Sequence, residues 1–137
     1  MIGIILMSHG KMAEGMLDSC KLFFGEVEKV KALCLEAGDN PEDFDKKIID
    51  AAKELDDDGS GVIAFCDLLG GTPCNRSMYV LNDNIQVITG MNFTMLLELL
   101  GQRMSVEKLC DLSIEDLIET GKNGIVSLNA MMNAAKQ

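Results

Sequence analysis

The chain carries a single histidine, His9, set just after the apolar run "IGIILM" (residues 2–7) and just before Gly10. An imidazole titrates near neutrality, so it can move a proton or, when neutral, offer a lone pair as a nucleophile. Either role needs a partner that fixes which ring nitrogen is free, and a carboxylate does this well. Asp67 stands at an equivalent point, directly after a second fully apolar run, "VIAFC" (62–66). The "LLGGT" that follows has what an anion would use. Gly70 and Gly71 let backbone amides turn toward a ligand, and Thr72 adds a hydroxyl ahead of a helix N-terminus. On the other wall, Gly10 leaves room for a donor group to approach closely.

Each piece also has an ordinary structural explanation. A lone histidine at a strand end can simply be solvated, an Asp after a strand can cap a turn, and a Gly-Gly-Thr-Pro sequence can be a plain loop-to-helix device. Gly90 and Asn92 read as a turn and a cap, and Lys11 and Arg76 as solvated cations within reach of an anion. The ten methionines read as core filler, with Met131 and Met132 placed to cover an interface. What decides between these readings is whether the fold brings His9 and Asp67 together.

The elements follow from apolar spacing. Residues 2–7 and 62–66 are short, branched and apolar on both faces, as central parallel strands are. Weaker strand patterns cover about 30–35, 85–89 ("IQVIT") and 124–128 ("GIVSL"). Helical spacing runs from Met12 to Phe24. A second helix opens at Pro41 with acids in its first turn, and a third opens at Pro73 with Thr72 as cap and runs to about Leu81. "NFTMLLELLG" predicts a short helix closed by Gly101. "SIEDLIETG" predicts another, with Ser113 and Asp116 as a capping box and Gly121 as its end. A frayed or helical tail follows. No repeat, low-complexity tract or linker divides the chain, so residues 1–137 read as one domain.

Alternating strands and helices predict a doubly wound, flavodoxin-like α/β sheet in the order 2-1-3-4. In that order the strands ending before His9 and Asp67 are neighbours. Their carboxyl ends flank the switch-point crevice where such sheets bind ligands. Topology alone therefore predicts that the two residues meet.

Composition narrows the function. The net charge is −10 with no basic stripe, which argues against nucleic acid and against an anionic membrane surface. No apolar run approaches the ~20 residues of a membrane helix, and the N-terminus has no leader pattern, so a cytoplasmic setting is expected. The five cysteines are odd in number, widely spaced and without a CxxC, which fits reduced core residues rather than disulfides or a metal site. A single histidine also rules out mechanisms that need two, such as histidine phosphatase or chelatase chemistry. No metal and no cofactor are expected.

Four segments, "SHGKMAEG", "FCDLLGGTPCN", "VITGMNFTMLLE" and "ETGKNGI", resemble in order and spacing the enzyme IIA component of the mannose/fructose/sorbose/N-acetylgalactosamine-type sugar phosphotransferase system, from residue 1 to about 128. The resemblance implies that His9 accepts a phosphoryl group from the histidine-containing phosphocarrier protein and passes it to a IIB component. Asp67 would be the hydrogen-bonding partner of His9, with Gly71 and Thr72 lining the phosphoryl site. It also implies work alongside membrane IIC and IID components, and a homodimer in which a C-terminal strand, matched by "GIVSL", crosses to run antiparallel in the neighbour's sheet. Where relatives continue into a fused IIB domain, this sequence stops, so IIB is expected as a separate polypeptide. Many relatives have proline where this chain has Thr94, which bears on a helix start. Two other readings remain at this stage: the phosphotransfer subunit that supplies a dihydroxyacetone kinase, and a binding or regulatory module whose histidine is never phosphorylated.

Overall fold

A computed structural model describes residues 1–136. Strands β1 (Gly3–His9), β2 (Val30–Leu35), β3 (Val62–Cys66) and β4 (Ile85–Ile88) form one sheet in the order β2-β1-β3-β4. All three pairings are parallel, with His9 opposite Leu35 and Met7 opposite Cys66. This is the doubly wound α/β arrangement that the alternation predicts.

Side chains alternate across a strand, and in β1 that alternation separates two cores. Ile4 and Leu6 pack on one face, with Ile63 and Phe65 of β3, beneath α1 (Met12–Phe24), α4 (Phe93–Gln102) and α5 (Ile114–Asn123). Ile5 and Met7 pack on the other, with Val62, Ala64 and Cys66, beneath α2 (Pro41–Leu55) and α3 (Thr72–Ser77). Each fully buried Ile, Leu, Met, Val or Phe among these contributes about 2 kcal/mol by leaving water. The same parity extends to the strand's end. Ser8 falls on the α1 side and His9 on the α3 side.

Several boundaries differ from the sequence reading, each for a local reason. His9 is the last residue of β1 rather than the first beyond it. Gly71, not Thr72, is the N-cap of α3, and Thr72 is its first helical residue. That helix stops at Ser77 and tightens into a 3-10 turn over Met78–Val80. Gly101 does not close α4, which runs to Gln102. Gly121 does not end α5, which continues to Asn123. It is a packing glycine, because a Cβ there would stand 3.2 Å from the Met95 Cβ.

Residues 124–128 have no partner strand within this single chain. They form no strand, and among the described residues the sheet has four strands, all parallel. The Gly124 and Ile125 amides bond back to the Thr120 and Lys122 carbonyls, and residues 125–127 have no ladder partner. The Ser127 hydroxyl then accepts from the Ala130 amide and starts α6 (Leu128–Ala135). No residue of α6 is buried, and Ile125, Val126 and Leu128 are exposed.

Candidate functional site

His9 and Asp67 meet at the carboxyl ends of β1 and β3. One carboxylate oxygen, Asp67 Oδ2, accepts from the His9 backbone amide at 2.9 Å and lies 2.7 Å from His9 Nδ1. The other, Oδ1, accepts from the Leu68 amide at 3.0 Å. Burial alone would push the Asp67 carboxyl up. The donors from His9 and Leu68 outweigh it and hold the carboxyl below its usual value. An ionised carboxylate has no proton to donate, so Nδ1 carries the hydrogen. In the neutral ring the lone pair is then on Nε2.

The imidazole is open to solvent, with 45% of its side chain exposed against 9% for Asp67. It stands on a rim rather than in a cavity. The depressions of about 560 Å³ beside β4 and α5, and of about 510 Å³ between α2 and β4, are lined by neither His9 nor Asp67. On the segments that follow Asp67 and Lys11, Leu68, Leu69 and Met12 are exposed. A rim of this shape suits contact with another macromolecule better than capture of a small substrate.

Gly71 limits where the ring can lie. Its φ of −76° and ψ of 163° suit any residue, so glycine is required there by space and not by backbone conformation. A Cβ would come within 2.6 Å of His9 Cε1 and 3.3 Å of Nε2. Gly10 and Gly70 are different, with φ of +58° and +84° and nothing within 4 Å of an added Cβ. They make turns that other residues would strain. Gly71→Ala is expected to push the imidazole aside, because the clashing atom belongs to a side chain and can yield. A shift of about 1 Å in a reacting group costs on the order of a hundredfold in rate. The variant should therefore melt like wild type yet react slowly at His9, and wild-type reactivity would show that the ring has room to spare.

Ser8 was not singled out by its sequence context. The residue is buried, and its hydroxyl accepts from the Ala13 amide at 2.8 Å and donates to the Gly10 carbonyl at 3.1 Å. Lys11, at the N-cap of α1, makes no side-chain cap. Ser8 therefore satisfies an orphan donor of that helix from inside the strand and fixes the turn that carries His9. A serine shortly before a helical apolar pattern was the available signal.

Other nearby residues serve elsewhere. Arg76 is engaged by both oxygens of Asp45 and lies over the Tyr79 ring, 4.9 Å from its centroid, so it is no spare cation for the site. Asn92 caps α4 through the Met95 amide and donates to the Gly121 carbonyl. Cys66 is fully buried beside Asp67, and burial pushes its thiol up to about 12, which keeps it protonated and unreactive at neutral pH. Among the described residues no group of three His, Cys, Asp or Glu could hold a metal ion, and no helix is long and apolar enough to cross a membrane.

The depressed Asp67 carboxyl links the site to stability. A carboxylate favoured in the folded state stabilises the protein above the ordinary carboxylate pKa, near ~3.9. That contribution disappears as the pH falls through the lower folded value. The stability difference between wild type and Asp67→Asn should therefore shrink as the pH drops below about 4, as read by urea unfolding at stepped pH. A difference that stays constant down to about pH 2 would mean that Asp67 ionisation is not coupled to folding.

Fold and site together define an α/β domain with one carboxylate-pinned imidazole facing outward at the switch point of a parallel sheet. Residues 3–117 match the family described as PTS system fructose IIA component, and the chain belongs to that family. It is 32% identical over 134 residues to the mannose-specific EIIAB component of Escherichia coli K12, covering 94% of this chain and 40% of that protein. It is also 32% identical over 117 residues to the sorbose-specific EIIA component of Klebsiella pneumoniae, covering 80% of this chain and 82% of that one. The chain thus spans 40% of the length of the EIIAB relative. Among solved structures, the EIIA component from Streptococcus agalactiae superposes with a TM-score of 0.81 at 31% identity, covering 95% of this chain and 99% of that one. The mannose/sorbose-specific IIA subunit from Enterococcus faecalis gives 0.80 at 29% identity, covering 93% and 94%.

Proposed function

We propose that the chain is a phosphoryl carrier in which His9 Nε2 is the acceptor atom. The lone pair on Nε2 attacks the phosphorus of the phosphohistidine on the histidine-containing phosphocarrier protein. A P–N bond forms at His9 as the donor's P–N bond breaks, and the electron pair of that bond returns to the donor ring. With Nδ1 still protonated, the phosphorylated ring gains positive charge, which the ionised Asp67 offsets. A IIB component then takes the phosphoryl group and leaves His9 neutral. Bonds of similar kind are exchanged, so the protein contributes alignment and charge stabilisation. The turn at Gly70, Gly71 and Thr72 lines one side of the phosphoryl position, and Gly10 leaves the other side open.

One observation carries this reading: Asp67 Oδ2 holds Nδ1 at 2.7 Å and so leaves Nε2 as the free, outward nitrogen. The exposed apolar residues Leu68, Leu69 and Met12 on the flanking segments fit protein donors and acceptors. The names of the relatives point to a hexose or related sugar as the eventual acceptor, taken up with membrane IIC and IID components while this chain works in the cytoplasm. The same reading has the chain acting as a homodimer, in which the exposed Ile125, Val126 and Leu128 are covered by a neighbouring subunit.

The test is intact-mass measurement after incubation with phosphoenolpyruvate, enzyme I and the phosphocarrier protein. One phosphoryl group should be gained and lost again in mild acid. A chain that stays unlabelled with an active donor would favour the non-phosphorylated binding module instead.

A further inference from the structure

The loop that limits the His9 ring is held at its two ends by different residues. At its start, Asp67 Oδ1 accepts from the Leu68 amide. At its end, Asn75 bonds to two consecutive carbonyls. Its backbone amide donates to Gly71 O at 2.9 Å, and its side-chain Nδ2 donates to Gly70 O at 3.2 Å. Between these ties lies Gly71, whose Cα faces His9 Cε1 so closely that a Cβ would be 2.6 Å away.

Asn75 and Gly70 are both exposed. Water could satisfy the amide and the carbonyl if their bond were absent, so the bond contributes little to stability. What it supplies is orientation, at a turn where Gly70 adopts a φ of +84°.

We propose that Asn75 is a positioning residue for the His9 site, acting through Gly70 and Gly71. Its side-chain amide latches the loop so that Gly71 stays against the ring edge and Nε2 keeps its heading. The inference rests on the phosphoryl-carrier reading for its rate consequence, and on geometry alone for its effect on the ring.

The test compares wild type with Asn75→Ala and with Asn75→Asp, which keeps the size but loses both N–H donors. Because His9 is the only histidine, one Cε1–H resonance in a carbon-edited NMR spectrum reports the contact with Gly71 in the unphosphorylated, full-length chain. Both variants should shift that resonance. They should also slow labelling from the phosphorylated carrier by roughly ten- to a hundredfold, with the KM for the carrier unchanged.

An unmoved resonance with slowed labelling would overturn the proposal, because Asn75 would then touch the transferred group itself. A raised KM alone would make it a docking contact and would overturn it too, as would wild-type behaviour in both measurements. If Asn75→Ala loses the native fold, the isosteric Asn75→Asp carries the comparison. If wild type itself is never labelled, the carrier reading fails, and the resonance shift still decides whether the latch exists.

Discussion

His9→Ala is expected to take up no phosphoryl group from the carrier protein while keeping the wild-type fold and melting temperature to within a few degrees. The structure separates these two outcomes. The imidazole is 45% exposed and lies outside both hydrophobic cores, so truncating it removes little buried apolar area. The bond from the His9 backbone amide to Asp67 survives the substitution. No second histidine can substitute, and the neighbouring thiol of Cys66 is buried and held protonated. Intact mass and acid lability read the first outcome, and circular dichroism on heating reads the second. Persistent acid-labile labelling would move the reactive site elsewhere.

Arg103→Met should have the largest effect on stability, at the opposite end of the sheet. Arg103 is buried just beyond α4, and its guanidinium donates to the carbonyls of Ile2 at 3.0 Å and Glu28 at 2.5 Å. Burial pushes its pKa down, with Glu28 acting the other way, but a guanidinium stays protonated in any case. Methionine fills much of the volume and donates nothing. The buried carbonyl of Ile2 would be left without this donor, at about 1–3 kcal/mol, and the part-buried carbonyl of Glu28 would lose its donor at a smaller cost. We expect a total loss of about 3 kcal/mol, or a melting temperature lower by on the order of 10 °C, in differential scanning calorimetry. Arg103→Lys should recover part of this, since a single ammonium cannot span the set of carbonyls. Phosphoryl uptake by the folded fraction should be unchanged, because Arg103 lies at the amino ends of β1 and β2 while the site lies at the carboxyl ends. A loss below about 0.5 kcal/mol would show that water takes over these carbonyls.

The contrast between His9 and Arg103 shows what sequence could and could not reveal. His9 and Asp67 were legible because strand ends can be read from apolar runs, and the rules of parallel-sheet topology bring two strand ends together. Arg103 was not legible. Its partners lie 101 and 75 residues earlier, and nothing in its local context marks it as buried. Ser8 was hidden because its hydroxyl serves an amide five residues ahead, from within a strand, whereas a cap is sought at the helix boundary. Gly71 was recognised as part of the site, but sequence does not distinguish a glycine needed for its φ from one needed for its missing Cβ. Only the 2.6 Å approach to the ring separates those roles. The β-branched pair in "GIVSL" suggested a strand, but pairing is a property of neighbours, and within one chain none lies alongside.

The shared oxygen of Asp67 has a mechanical consequence. Because Oδ2 receives both the amide and the ring nitrogen of His9, main chain and side chain are tied to one anchor just past the end of the adjacent strand. Swinging the imidazole out would cost the Nδ1 contact, while the backbone tie to Asp67 would stay in place. On the carrier reading proposed above, the accepting atom is thus aimed before a partner arrives, and the search for alignment falls to the partners that come to it.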